Sequence, residues 1–141
     1  MQHMLKKLWP MVFCVFPVGA GMVVPDVRAE EELAPGFNVC TEKAKSTVDN
    51  LDCLNAAYEY WDKELNANFK KSLAACDDGS DAKQCRAKIL KAQRLWVQYK
   101  EAMGEALYAM GGRGTLDSLT VGNFAAEETK KQAKLLAPPE H

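Results

Sequence analysis

Between Leu54 and Cys76 the apolar and small positions recur every three or four residues: Leu54, Ala57, Trp61, Leu65, Asn68/Phe69, Ser72 and Cys76. That period is one face of a long helix. The charges Glu59, Lys63, Lys70 and Lys71 fall mostly elsewhere on it. Asp77-Asp78-Gly79-Ser80 stops the helix, with glycine suited to the left-handed turn that follows one. Asp81-Ala82-Lys83-Gln84 has capping-box form and predicts a second long helix. Its inner face carries Ile89, Ala92, Leu95/Trp96, Tyr99, Ala102/Met103, Ala106/Leu107 and Met110, and Gly111-Gly112-Arg113-Gly114 ends it. Upstream, Asn38 is expected to cap a short helix reaching about Val48, with a break at Asp49-Asn50. Downstream, residues 115–122 read as a loop. Asn123 is expected to cap a last helix to about Leu136, which Pro138-Pro139 forbids from continuing. No strand pattern and no internal repeat are visible. The expected fold is all-α, a small antiparallel helical hairpin or bundle of about four helices.

Cysteine placement adds two staples to this picture. Cys40, Cys53, Cys76 and Cys85 allow three pairings. In one continuous helix Cys40 and Cys53 would stand roughly 20 Å apart at about 1.5 Å per residue, whereas a bridge needs Cα atoms near ~5.5 Å. Their pairing therefore requires the chain to turn between them, in agreement with the predicted break. Cys76 and Cys85 flank the hairpin turn, and a bridge there clamps its base. The spacings thus favour Cys40–Cys53 with Cys76–Cys85. In the register this clamp imposes, Phe69 faces Ala92, Leu65 faces Trp96 and Asp62 faces Tyr99. Trp61, Leu65, Phe69 and Trp96 are the expected core.

The chain start changes the picture again. Lys6-Lys7 precedes an uncharged apolar run from Leu8 to Val24 that contains Pro10 and Pro17. This pattern suits a signal peptide better than a membrane helix, and Val27-Arg28-Ala29 predicts cleavage after Ala29. Residues 1–29 are then an export signal that includes Cys14. Residues 30–37 are a disordered acidic leader, 38–137 the helical domain and 138–141 a tail. The whole chain has 18 basic and 19 acidic residues. Loss of Lys6, Lys7, Arg28 and Asp26 with the signal leaves 15 and 18, a net charge of −3. That balance speaks against nucleic acid and allows, without demanding, a cationic protein partner. Four cysteines in an exported small chain point to an oxidising compartment outside the cytosol, with no membrane span once the signal is removed.

Groups for catalysis are scarce. After the signal, the sole histidine is His141. No Ser-His or Cys-His arrangement is available to activate a nucleophile, and no paired CxxC or histidine set is available for zinc or haem. Gly111–Gly114 lacks the lysine and following hydroxyl of a phosphate loop. Carboxylates such as Glu59, Asp62, Glu64, Glu101 and Glu105 sit at helical spacings among lysines, the pattern of a solvated face. No enzymatic activity, metal or cofactor is expected. Asn66 and Gln93, beside the apolar faces, read as a polar pair bridging the hairpin. Trp61 belongs to the core, while Tyr60 points away from it.

Cys40-Thr41-Glu42-Lys43-Ala44-Lys45-Ser46-Thr47, Cys53, Tyr58, Asp62-Lys63-Glu64-Leu65-Asn66, Phe69, Ala92-Gln93-Arg94-Leu95-Trp96 and Tyr99 together resemble the LprI-type lysozyme inhibitor N-terminal domain family, over about Val39 to Leu136. The family consists of small exported bacterial domains. Members usually carry a cysteine near where Met103 stands and a partner near Asn123–Ala126. Here both are missing, and Cys76 and Cys85 at the hairpin turn stand in their place. Gly111-Gly112 and Thr129 match the tail of the pattern, and Gln132 stands where arginine is common.

The resemblance implies an exported inhibitor of lysozyme or a related peptidoglycan hydrolase. The alternative is an envelope scaffold or adaptor that binds another protein without inhibiting an enzyme. Since the apolar face is committed to the fold, the candidate partner-binding residues are the exposed Glu59, Tyr60 and Glu64 of the first long helix and Glu101 and Glu105 of the second. Their carboxylates would steer a cationic enzyme.

Overall fold

Ser46 sets where the first long helix begins. Its hydroxyl accepts a hydrogen bond from the Asp49 N–H at 3.1 Å, and the Asp49 carboxylate accepts one from the Lys45 N–H at 2.8 Å. This reciprocal pair satisfies amide donors that a helix start leaves open. Asp49-Asn50, expected as the break, therefore lies inside the first turn, and the break falls at 44–46.

The computed structural model describes residues 31–77 and 79–138. The expected signal peptide (residues 1–29) and most of the expected tail lie outside them. Four helices are present: α1 (Phe37–Lys43), α2 (Thr47–Ala75), α3 (Ala82–Gly111) and α4 (Thr115–Leu135). No strand occurs among the described residues. Gly36, with φ of 83°, occupies the cap of α1 that was expected of Asn38. The Asn38 N–H instead donates to the Glu32 carboxylate at 2.7 Å.

Both disulfides form as the spacing predicts. Cys40–Cys53 joins α1 to α2 with Cα atoms 5.8 Å apart, and Cys76–Cys85 closes the α2–α3 turn at 5.6 Å. Arg86 adds to that turn, donating to the Leu73 carbonyl at 3.1 Å and to the Asp77 carboxylate at 3.1 Å. A cation there also complements the helix C-terminus.

Helix α4 begins nine residues earlier than expected, because Gly114 and not Asn123 stands at its cap. The Asp117 carboxylate accepts from the Gly114 N–H at 2.7 Å. A Cβ at Gly111 would collide with that carboxylate, and Gly112 has φ of 98°. The glycines thus permit a sharp reversal that carries α4 straight back along the hairpin.

The packing departs from a simple hairpin. Helix α4 has the most extensive contact with α2, then with α3, while α2 and α3 touch each other least. Small residues are the cause. Ala126, Thr129 and Ala133 have essentially no exposed surface, and a Cβ at Gly122 would approach Leu54 to 3.3 Å. A small-residue face lets α4 come closer to α2 than α3 can with its large side chains. Helix α4 runs parallel to α2, with Asn68 donating to the Ala133 carbonyl at 3.0 Å and Ser72 to the Leu136 carbonyl at 2.8 Å. It runs antiparallel to α3, with Gln132 donating to Gln93 at 2.9 Å.

Consequently α3 buries no residue fully; Leu95 and Tyr99, expected inside, are 54% and 46% exposed. Leu65 is buried as expected, whereas Trp61, Phe69 and Trp96 are only partly so. Asn66 does not bridge the hairpin. It is exposed and donates to Asp62 of its own helix, while Gln93 turns to α4.

Two residues of the leader expected to be disordered belong to the core. Leu33 and Ala34 are buried against Leu54, Ala57 and Ala126. The Trp61 indole N–H donates to the Leu33 carbonyl at 2.6 Å. Lys130, almost fully buried, donates to the Glu32 carbonyl at 2.8 Å and lies 3.9 Å from the Glu31 carboxylate. Lys130 and Lys134 each stand 5.7 Å from the Trp61 ring centre, and Lys134 pairs with Glu31.

Candidate functional site

Because α4 sits between the two long helices, α2 and α3 leave a long open groove with α4 as its floor. One wall is Leu51, Asn55 and Tyr58 of α2. The other is Lys100, Glu101, Gly104, Glu105 and Tyr108 of α3. Val121, Gly122, Phe124 and Ala125 form the base. Two contiguous hollows of about 470 and 380 Å³ make it up, sharing Tyr58, Val121 and Ala125. Gly104 and Gly122 line it, and a Cβ at either would meet a neighbouring helix, Val121 at 3.6 Å and Leu54 at 3.3 Å.

Lys100 organises one end. Its ammonium donates to the Tyr58 hydroxyl at 3.2 Å and lies 4.8 Å from the ring centres of both Tyr58 and Trp96. A lysine beside two aromatic rings is stabilised by their quadrupoles. At the other end the Tyr108 hydroxyl donates to the Arg113 carbonyl at 3.0 Å, which fixes that ring at the rim. Tyr99 packs edge-on against Phe124 with ring centres 6.2 Å apart.

The five candidate partner-binding residues do not form one surface. Glu101 and Glu105 stand together on the groove wall, one helical turn apart. Tyr60 packs edge-on against Trp61 and lines a separate small cleft beside the Cys40–Cys53 bridge, with Pro35 and Phe37. Glu59 is exposed and Glu64 partly so, and neither lines the groove or that cleft. Phe69, expected to be wholly core, forms part of a third hollow of about 340 Å³ with Leu90, Gln93, Arg94, Val97 and Gln98.

Sequence reading missed Asn55, Tyr58, Lys100 and Tyr108 as groove residues. Tyr58 stood among the recognisable positions, but its place beside α3 depends on how far the helices splay, and α4 sets that distance.

Two carboxyls of the scaffold have lowered pKa values. A hydrogen bond from Lys134, then the charges of Lys130 and Lys134, holds the Glu31 carboxyl below its ordinary range. The Lys45 N–H, then the Ser46 hydroxyl, does the same for Asp49. Among the described residues no group of histidine, cysteine, aspartate and glutamate is arranged to hold a metal ion.

The model of the family described as "Lysozyme inhibitor LprI" matches residues 40–136, from within α1 to just past α4. The chain belongs to the LprI family. No curated protein and no solved structure matches it. The match covers every helix that builds the groove, so the groove is a feature of this chain's LprI domain itself. Leu33, Ala34 and Trp61 show that the folded unit extends beyond the matched residues at its N-terminal end. The LprI description is that of an inhibitor and not of a catalyst.

Proposed function

We propose that this chain is an exported protein of the bacterial cell envelope that binds and inhibits a lysozyme or a related peptidoglycan hydrolase. The observation that carries the reading is the LprI match across nearly the whole helical domain. Two disulfides support export, because such bridges persist in oxidising compartments. No described helix is long and apolar enough to cross a membrane, which suits a domain that acts in solution once its signal is removed. Inhibition here requires only occlusion of the enzyme, so the domain needs no reactive group of its own.

The test uses the oxidised, exported protein. Its affinity for a c-type lysozyme is measured by calorimetry, and its effect on release of dye-labelled fragments from purified peptidoglycan is followed in parallel. The expected result is saturable binding with matching loss of lytic rate. Absence of both across c-, g- and i-type lysozymes would overturn the reading in favour of an envelope scaffold or adaptor.

A further inference from the structure

We propose that the groove between α2 and α3 receives a basic segment of the partner protein, with a lysine or arginine side chain seated beside Glu101 and Glu105. The proposal deepens the lysozyme-binding reading and takes its partner from it.

Three observations point to this occupant. First, Glu101 and Glu105 lie one turn apart on the groove wall, and neither carries an ion pair among the described residues. Glu31 and Glu128 by contrast are paired with lysines of α4. Second, the one cation on the groove wall, Lys100, is already engaged by Tyr58 and Trp96. Its ammonium is thereby drawn towards the aromatic pair and leaves the two carboxylates as uncompensated charge. Third, the groove base is apolar, formed by Val121, Phe124 and Ala125. Lysine and arginine have this same division, an apolar stem and a charged head. The stem would lie along the base while the head meets the carboxylates, and arginine could engage one of them through two parallel hydrogen bonds.

The α2 carboxylates lack this combination. Glu59 and Glu64 border no such groove, so they can attract a cationic partner from a distance but offer its side chains no seat. The binding energy is therefore assigned to the α3 pair.

Two arms test the proposal. In the first, the isotopically labelled exported protein is titrated with the blocked dipeptide Arg-Trp while backbone and side-chain NMR signals are followed. The expected shifts cluster on Glu101, Glu105, Tyr108 and Phe124, and disappear in Glu101→Gln/Glu105→Gln. Both substitutions are at exposed positions and retain the side-chain size, so the fold is expected to persist, and the unperturbed spectrum checks this. Shifts that are absent, or scattered over the surface, overturn the groove proposal whatever lysozyme does.

In the second arm, a c-type lysozyme is the probe. The α3 double variant is expected to bind at least about tenfold more weakly, with a flatter dependence on salt, while Glu59→Gln/Glu64→Gln stays within about twofold. Parent-like binding by the α3 variant would reject the groove and leave lysozyme binding intact. Peptide shifts in the groove without binding to any lysozyme would retain the groove and reject the enzyme as its partner.

Discussion

The indole N–H of Trp61 donates to the backbone carbonyl of Leu33 at 2.6 Å, across 28 residues of sequence. This bond ties the segment ahead of α1 to the middle of α2, where Lys130 and Lys134 of α4 also converge. Trp61→Phe keeps most of the ring and orphans the carbonyl. It is expected to cost about 1–3 kcal/mol in urea unfolding. Leu33→Ala, at a buried position, is expected to cost about 2–4 kcal/mol. Parent-like melting of both variants would mean that the segment is not an integral part of the fold.

Leu65 and Phe69 stand one turn apart on α2 but differ in burial: Leu65 is 3% exposed, while Phe69 borders an open hollow. Leu65→Ala is expected to cost about 3–5 kcal/mol. Phe69→Ala, larger in atoms removed, should cost less, about 1–3 kcal/mol, because part of the ring already faces solvent. Denaturant melts of the two variants side by side would show the order, and a costlier Phe69→Ala would contradict the packing described.

The Cys76–Cys85 bridge closes a turn of nine residues' separation, and Cys40–Cys53 one of thirteen. From loop length, each removes about 2–3 kcal/mol of unfolded-chain freedom. Cys76→Ala/Cys85→Ala is expected to lower stability by that amount while leaving the α2–α4 contact in place. Hydrogen exchange should show faster opening of the α2–α3 turn and little change at Ala126 to Ala133. Loss of protection throughout α4 would show that the clamp also holds the bundle.

Gly111 and Asp117 are sterically coupled at the α3–α4 reversal. Gly111→Ala forces the Asp117 carboxylate off the Gly114 N–H and is expected to cost about 1–3 kcal/mol. Asp117→Ala alone should cost about 1 kcal/mol for the lost cap. The double variant is expected to be more stable than the sum of the two losses predicts, because removing the carboxylate relieves the collision. Simple additivity in thermal or urea melts would exclude that contact as the reason for glycine.

Glu31 and Asp49 are expected to contribute to acid sensitivity. Both carboxyls have folded pKa values below their ordinary ones, Glu31 chiefly through Lys134 and Asp49 chiefly through the Lys45 N–H. A lowered folded value means the unfolded chain takes up protons first as pH falls. The stability they confer is therefore complete above about pH 5 and is lost as pH drops through the carboxylate range towards the lowered values. Urea midpoints should fall between about pH 5 and pH 3, and Asp49→Asn together with Glu31→Gln should flatten that slope. An unchanged slope in the double variant would assign acid sensitivity to other carboxylates.

The helical class, the two long helices and both disulfides were legible in the sequence because each rests on short-range information. A three-or-four residue period and a cysteine spacing are both fixed within a few turns of chain, whereas the expected Asp81–Gln84 capping box does not form: Asp81 makes no side-chain cap hydrogen bond. Local rules erred where two similar signals competed. Asp49 resembles a breaker and is instead the partner of Ser46, and Gly111–Gly114 ends α3 as its composition indicates but also caps α4 at once, where residues 115–122 read as a loop.

Only the tertiary structure decided what packs on α2. The amphipathic faces of the two long helices complement each other on paper, but side-chain size sets approach distance. Ala126, Thr129 and Ala133 let α4 come closest, which holds α3 off, exposes Tyr99, half-opens Phe69 and creates the groove that unites Tyr58 with Glu101 and Glu105. The same competition draws Leu33 and Ala34 into the core beside α4, at positions with too few neighbouring apolar residues to form a recognisable pattern. Periodicity specifies which face of a helix is buried; the identity of its neighbour depends on how closely the available faces can approach, and that is a property of the assembled bundle.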